Sequence, residues 1–233
     1  MTFVLSPRRI VYEDTDLLVV DKPAGLVAHA TVDPTRDHLV AAVSRYLRTR
    51  DGEAGHLTLV HRLDRDTSGL TVFTRAAELD GVLGSAFAER AVSKTYGAIV
   101  RQQPTQPFPT GTTELHSYLA PGKGPGGRTV AVRAGGRASR TCVQPLLWEG
   151  ELVLVQAQPH TGRAHQIRVH LADLGFPILG DTLYGVGEPN IKRMLLHARA
   201  LSLAHPRTDE PLTLTAKWPR AFLTRVPQLR SVR

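Results

Sequence analysis

Two runs of strand character, residues 141–148 and 151–157, meet at Glu149-Gly150. So short a connection closes only as a β-hairpin, which commits this part of the chain to antiparallel pairing. The same signature recurs along the chain. Residues 9–13 and 17–21 read as strands around Asp14-Thr15-Asp16, and 57–60, 70–74, 94–100, 112–119, 195–203 and 212–216 read as further strands. Three segments instead carry apolar residues at helical spacing. In 37–50 they are Leu39, Val43, Tyr46 and Leu47, with Thr35 or Asp37 as the expected cap. In 76–90 they are Leu79, Val82, Leu83, Ala86 and Phe87, with Thr74 as the expected cap. In 164–174 they are Ile167, Leu171 and Leu174, ended by Gly175 and Pro177. A short helix is expected from 219. Strands outnumber helices and often follow one another directly, so the expected class is α+β with a mixed, largely antiparallel sheet and flanking helices and loops. No composition break marks a domain boundary, and residues 1–233 read as a single domain.

Charge narrows the partners. The chain holds 29 Lys and Arg against 21 Asp and Glu, a formal +8. That balance favours a polyanion, most simply nucleic acid. Arg128, Arg133, Arg137 and Arg140 fall on short alternating segments that can track a phosphate backbone or form a solvated face. The single cysteine, Cys142, rules out an intramolecular disulfide and sits in an apolar run as a core residue. No apolar stretch approaches the roughly 20 residues that span a bilayer. The expectation is a cytoplasmic protein with no membrane partner.

The densest chemistry lies in His61-Arg62-Leu63-Asp64-Arg65-Asp66-Thr67-Ser68-Gly69-Leu70. Asp64 stands between Arg62 and Arg65, and nearby positive charge favours an ionised carboxylate, fit to be a nucleophile or a salt-bridge anchor. A second concentration is Thr161-Gly162-Arg163-Ala164-His165-Gln166-Ile167-Arg168-Val169-His170. Arg163, His165 and Arg168 crowd the start of a helix, where cations oppose the macrodipole, so an anion such as Asp64 or a phosphate is expected there. His61, His160, His165, His170 and His197 match no common zinc spacing, so no metal is expected. Ser68 lacks the surroundings of a nucleophile elbow. Residues 102–111 and the Gly/Pro-rich 121–127 read as loops, the latter mobile on the surface.

Three of these stretches together resemble the RluA family of RNA pseudouridine synthases: Val20-Asp21-Lys22-Pro23-Ala24-Gly25, the run 61–70 and the run 161–170. Pro177-Ile178-Leu179-Gly180-Asp181 through Tyr184-Gly185 also fits, so the resemblance spans about residues 16–217. It implies the pseudouridine synthase fold, with a catalytic cleft in the middle of the sheet and no metal or organic cofactor. It implies isomerisation of selected uridines in ribosomal RNA and/or transfer RNA; the protein is expected to be a monomer. Carried over position by position, Asp64 falls on the catalytic aspartate and Tyr96, in Lys94-Thr95-Tyr96, on the active-site tyrosine. Arg168 falls on the basic residue paired with that aspartate, and Arg62 on an arginine beside the nucleophile. Leu195 or Leu196 supplies the apolar wall near the base. Asp64 would attack C6 of the uracil or act at C1′ of the ribose. Tyr96 would stack on the ring and handle a proton. Lys22, Lys94, Arg163 and His165 join Arg62 as candidate RNA contacts, although Lys22 reads also as a solvated charge. The target uridine must lie in a loop or be flipped out. The first motif begins about twenty residues in, which leaves no room for the S4-type RNA-binding domain of longer relatives, so the loop 102–127 is expected to help select the substrate. The rival readings are a non-catalytic RNA binder on the same fold and a nucleoside hydrolase using Asp64.

Overall fold

The structure is a computed structural model and describes residues 2–33, 35–123, 127–185, 188 and 190–230. The chain forms two compact units. The first comprises Met1–Ser93 and Ala198–Ala216, the second Lys94–His197 and Lys217–Arg233. The class is the expected α+β, with a mixed, largely antiparallel sheet.

In the first unit, β1 (Ile10–Glu13), β2 (Leu17–Lys22), β4 (Ser68–Thr74) and β10 (Leu196–Ala204) lie in that order, β10 entering the unit at Ala198. The two-residue β3 (Thr58–Leu59) pairs with β4, and β11 (Pro211–Thr215) pairs with β10. Strand β2 is apolar on both faces, and its alternation distributes the core. Leu18 and Val20 join Phe73 in one cluster, while Leu17 and Val19 join Leu70 and Val72 in another. Helix α1 (Leu39–Asp51) covers the first cluster with Leu39, Val43 and Leu47. Helix α2 (Asp80–Ala88) covers the second with Leu83, Ala86 and Phe87. Each such side chain fully withdrawn from water contributes roughly 1.5–3 kcal/mol.

The second unit repeats the logic. Its strands follow the order β5 (Ser93–Arg101), β9 (Leu152–Pro159), β8 (Arg137–Glu149), β6 (Thr113–Pro121) and β7 (Thr129–Val132), all antiparallel. The β8–β9 hairpin turns at the expected Gly150, with φ +58°. Ala98, Val100, Val153 and Val155 face helix α3 (Gln166–Asp173) through Ile167 and Leu171. Ile99 and Leu154 belong to the cluster of Phe222, on helix α4 (Arg220–Arg225).

The helix starts differ from the sequence expectation. The α1 cap is His38, whose Nδ1 accepts the Ala41 N–H at 3.3 Å. Asp37 is drawn away by the Phe3 N–H and Arg45, each at 2.6 Å. Residues 76–90 split into a 3-10 turn, Ala77–Leu79, and the shorter α2. Thr74 does not cap it, because its hydroxyl is hydrogen-bonded to Asp80 in the first turn. Helix α3 starts at Gln166 rather than 164, because His165 takes the left-handed conformation at φ +56°. Arg163 and His165 therefore precede the helix and only Arg168 lies in its first turn. Cys142 is half-buried, and burial together with neighbouring Glu114 pushes its thiol up, away from the reactive thiolate. Residues 124–126 of the 121–127 loop lie outside the described residues.

Candidate active site

Asp64 lies in the first unit, in the connection between β3 and β4. Its carbonyl accepts the Thr67 N–H at 3.2 Å, closing a tight turn over residues 64–67. The turn is fixed on both sides. Upstream, His61 Nε2 accepts the Val72 N–H at 3.1 Å, and its ring stacks on Phe87 with centroids 4.4 Å apart. Leu63, Thr67 and Ser68 are buried. On the other side stands Lys22, with no exposed surface at all. Its ammonium donates to the carbonyls of Pro23 at 3.0 Å, Leu26 at 2.7 Å and Arg65 at 2.9 Å. The Arg65 carbonyl also accepts the Gly25 N–H at 2.9 Å, and Gly25 supplies the φ of +86° that this turn requires. The Lys-Pro-Ala-Gly turn thus grips the backbone one residue after Asp64. The ammonium points inward, where three carbonyls replace its water.

Gly69 completes the frame. Its φ is +117°, and a Cβ there would stand 2.3 Å from the Ala198 carbonyl oxygen, so only glycine lets β4 approach β10 so closely. Arg65 turns its guanidinium onto Asp66, at 3.0 and 2.9 Å. Arg62 is exposed, and its charge adds to burial in lowering the pKa of His29.

Tyr96 and Arg168 lie in the second unit. Tyr96, half-buried on β5 opposite Ala157, packs against the apolar cluster that contains Leu196. Leu195 faces the other way, into the cluster of Ile99, Leu179 and Phe222. Of the two leucines, it is Leu196 that shares a face with Tyr96. Lys94 is half-buried at the start of β5, and burial lowers its pKa.

Arg168 is buried and forms a two-point ion pair with Asp181, Nε to Oδ2 at 2.7 Å and Nη2 to Oδ1 at 2.8 Å. Asp181 Oδ1 also accepts the N–H groups of Leu183, at 3.0 Å, and Tyr184, at 3.2 Å. Burial pushes the Asp181 carboxyl up, but Arg168 and these N–H groups outweigh it and hold it below the usual carboxylate range. The Tyr184 ring lies under the guanidinium, 5.0 Å from centroid to Cζ. Its hydroxyl bridges both main-chain groups of Thr129 and meets His165 Nδ1 at 2.9 Å. Arg163 donates from Nε to the Ala138 carbonyl at 3.1 Å. In the sequence, Asp181 and Tyr184 stand out only as members of the Pro177–Gly185 motif of the family resemblance.

Among the described residues, Asp14, Asp16 and His205 form a group with metal-ligand spacing. They are engaged by protein partners: Asp16 takes a two-point pair from Arg207, and Asp14 accepts from Tyr12 and His205.

Comparison with known proteins agrees with this architecture. The family model described as RNA pseudouridylate synthase matches residues 16–173. The chain is 34% identical over 215 residues to a Bacillus subtilis protein named uncharacterized RNA pseudouridine synthase YhcT, covering 90% of this chain and 68% of that one. It is 32% identical to the ribosomal large subunit pseudouridine synthase C of Vibrio vulnificus, covering 96% and 70%. Among solved structures, human RNA pseudouridylate synthase domain containing 4 superposes with a TM-score of 0.74 at 28% identity, covering 96% and 93%. The chain belongs to the RNA pseudouridine synthases, isomerases that act on uridines in RNA.

Proposed function

We propose that this synthase converts uridines of ribosomal RNA and/or transfer RNA, with Asp64 as the catalytic carboxylate, Tyr96 as the ring-stacking and proton-handling residue and Arg168 as the ion-pair partner of Asp64. The observation that carries the reading is the anchoring of the Asp64 turn. A carboxylate on a loop is of use to a rotating base only if it stays in place, and this one is tied on one side by the buried Lys22 and on the other by the half-buried His61. In the reaction the N1–C1′ bond breaks, the base turns, and a C5–C1′ bond forms. The C5 hydrogen leaves as a proton and N1 gains one. Asp64 takes the nucleophilic role at C6 or C1′. Tyr96, backed by the cluster of Leu196, offers a flat face to the detached uracil and a hydroxyl for the proton leaving C5.

Arg62, Lys94, Arg163 and His165 serve as RNA contacts, helped by the exposed Arg128, Arg133 and Arg137. Lys22 serves by holding the Asp64 turn. The whole chain acts as one catalytic domain, as a monomer in the cytoplasm, with no metal. The ribosomal substrate draws support from the name of the Vibrio relative. The test is pseudouridine mapping of total RNA from cells with and without the protein. Loss of one or a few sites in ribosomal or transfer RNA, restored by the wild-type chain, is expected. An unchanged map in both RNAs would overturn the substrate assignment.

A further inference from the structure

Arg168 is the one buried arginine whose charge the proposed chemistry uses, and a long side chain holds a single direction only if something fixes it. Its stem alone leaves several rotamers open. The two bonds to Asp181 define the plane of the guanidinium, since a fork gripped at Nε and Nη2 cannot rotate about its own axis. Asp181 is itself held, with a fully buried side chain whose Oδ1 accepts two main-chain N–H groups of its own turn. Tyr184 closes the face of the guanidinium, and its hydroxyl fastens that turn to Thr129, the first residue of β7. Because Thr129 N–H donates to this hydroxyl and the hydroxyl donates to the Thr129 carbonyl, His165 must offer Nδ1–H to it. Thr129 and His165, before the α3 start, and Asp181 and Tyr184, after it, therefore converge around one arginine.

We propose that Asp181 is a positioning residue of the isomerisation: it acts through Arg168 by fixing the guanidinium, and Tyr184 locks the pair. The inference rests on the reading that Arg168 is the ion-pair partner of the catalytic Asp64. A merely structural ion pair would affect folding and leave turnover of the folded enzyme alone, so the test separates the two.

The full-length chain is assayed by release of tritium from C5-labelled uridine in RNA, as wild type, Asp181→Asn, Arg168→Met and the double variant. Unfolding curves set the folded fraction. Because misplacing a catalytic group by about 1 Å can cost on the order of a hundredfold, Asp181→Asn is expected to lower kcat about ten- to a hundredfold with KM within about twofold. Arg168→Met is expected to fall further, and the double variant no further than Arg168→Met, the non-additivity of two residues acting as one. If Arg168→Met keeps kcat within about twofold, the role of Arg168 fails, and this inference with it. If Arg168→Met falls but Asp181→Asn does not, or the double variant falls by the product of the two, only the inference fails. Should Asp181→Asn not fold, Arg168→Lys carries the test, because it keeps the charge against Asp181 and removes the second bond. A kcat loss of about tenfold or more supports positioning, and an unchanged kcat overturns it.

Discussion

His170 should make the second unit acid-sensitive as pH falls from about 6.5 towards 4. The ring is 3% exposed and sits in a closed polar network on α3. Its Nε2 lies 2.8 Å from Ser117 Oγ and 3.0 Å from Ser139 Oγ, and its Nδ1 lies 2.8 Å from Thr141 Oγ1. Ser139 donates to the Ser117 carbonyl, and Gln166 donates to Thr141. One arrangement of hydrogens satisfies every member: Nε2–H donates to the serines, and the Thr141 hydroxyl donates to Nδ1. That ring is neutral. A second proton on Nδ1 would face Thr141 and strand its hydroxyl hydrogen. Burial, with a smaller push from His116, lowers the pKa from 6.5 to about 4.

The folded value lies below the unfolded one, so the neutral ring supports the fold fully above pH 6.5. That support is lost as pH falls towards 4, where the unfolded chain binds a proton that the folded chain refuses. Linkage gives a loss of about 0.7 kcal/mol between pH 7 and 6, and of about 1.8 kcal/mol between pH 7 and 5. Urea unfolding followed by tryptophan fluorescence is the assay, because both tryptophans, Trp148 and Trp218, lie in the same unit as His170. His170→Gln cannot titrate. Its offset from wild type should shrink by about 1.8 kcal/mol from pH 7 to pH 5. Parallel pH profiles for the two proteins would refute the argument.

Two other perturbations have clear expected outcomes. Lys22→Met leaves three carbonyls without their charged donor and should cost about 2–4 kcal/mol of stability in chemical denaturation, with loss of activity as the Asp64 turn loosens. Gly69→Ala places a Cβ against the Ala198 backbone at a positive φ, so it should lose at least about 2 kcal/mol, seen as a lowered melting temperature.

The parts legible in the sequence are those that local spacing decides. The β8–β9 hairpin follows from alternation around Glu149-Gly150, and α1 from Leu39, Val43 and Leu47. The turn at Asp64 follows from Asp66, Thr67, Ser68 and Gly69. What stayed hidden depends on distant partners. Lys22 looks like a surface charge until Pro23, Leu26 and Arg65 turn their carbonyls on it. The choice between Leu195 and Leu196 is one of strand parity, and parity has no meaning until the core faces are known. The late start of α3 comes from a positive φ at His165, which a β-carbon-bearing residue adopts only when its surroundings, here Tyr184, hold it. Asp181 stands in the sequence only as a member of the Pro177–Gly185 motif, because nothing in Gly180-Asp181 announces an arginine thirteen residues upstream.

The measurement that bears most directly on the account is tritium release from C5-labelled uridine in RNA by purified wild type and Asp64→Asn, with RNA binding measured in parallel. The account predicts that the variant binds RNA within about threefold of wild type and loses turnover on the order of 10⁴-fold, since the substitution removes one charge and keeps the shape of the turn. Turnover by Asp64→Asn within about tenfold of wild type would contradict it, and Asp64 would then be an anchor of the loop, with the chemistry done by another group.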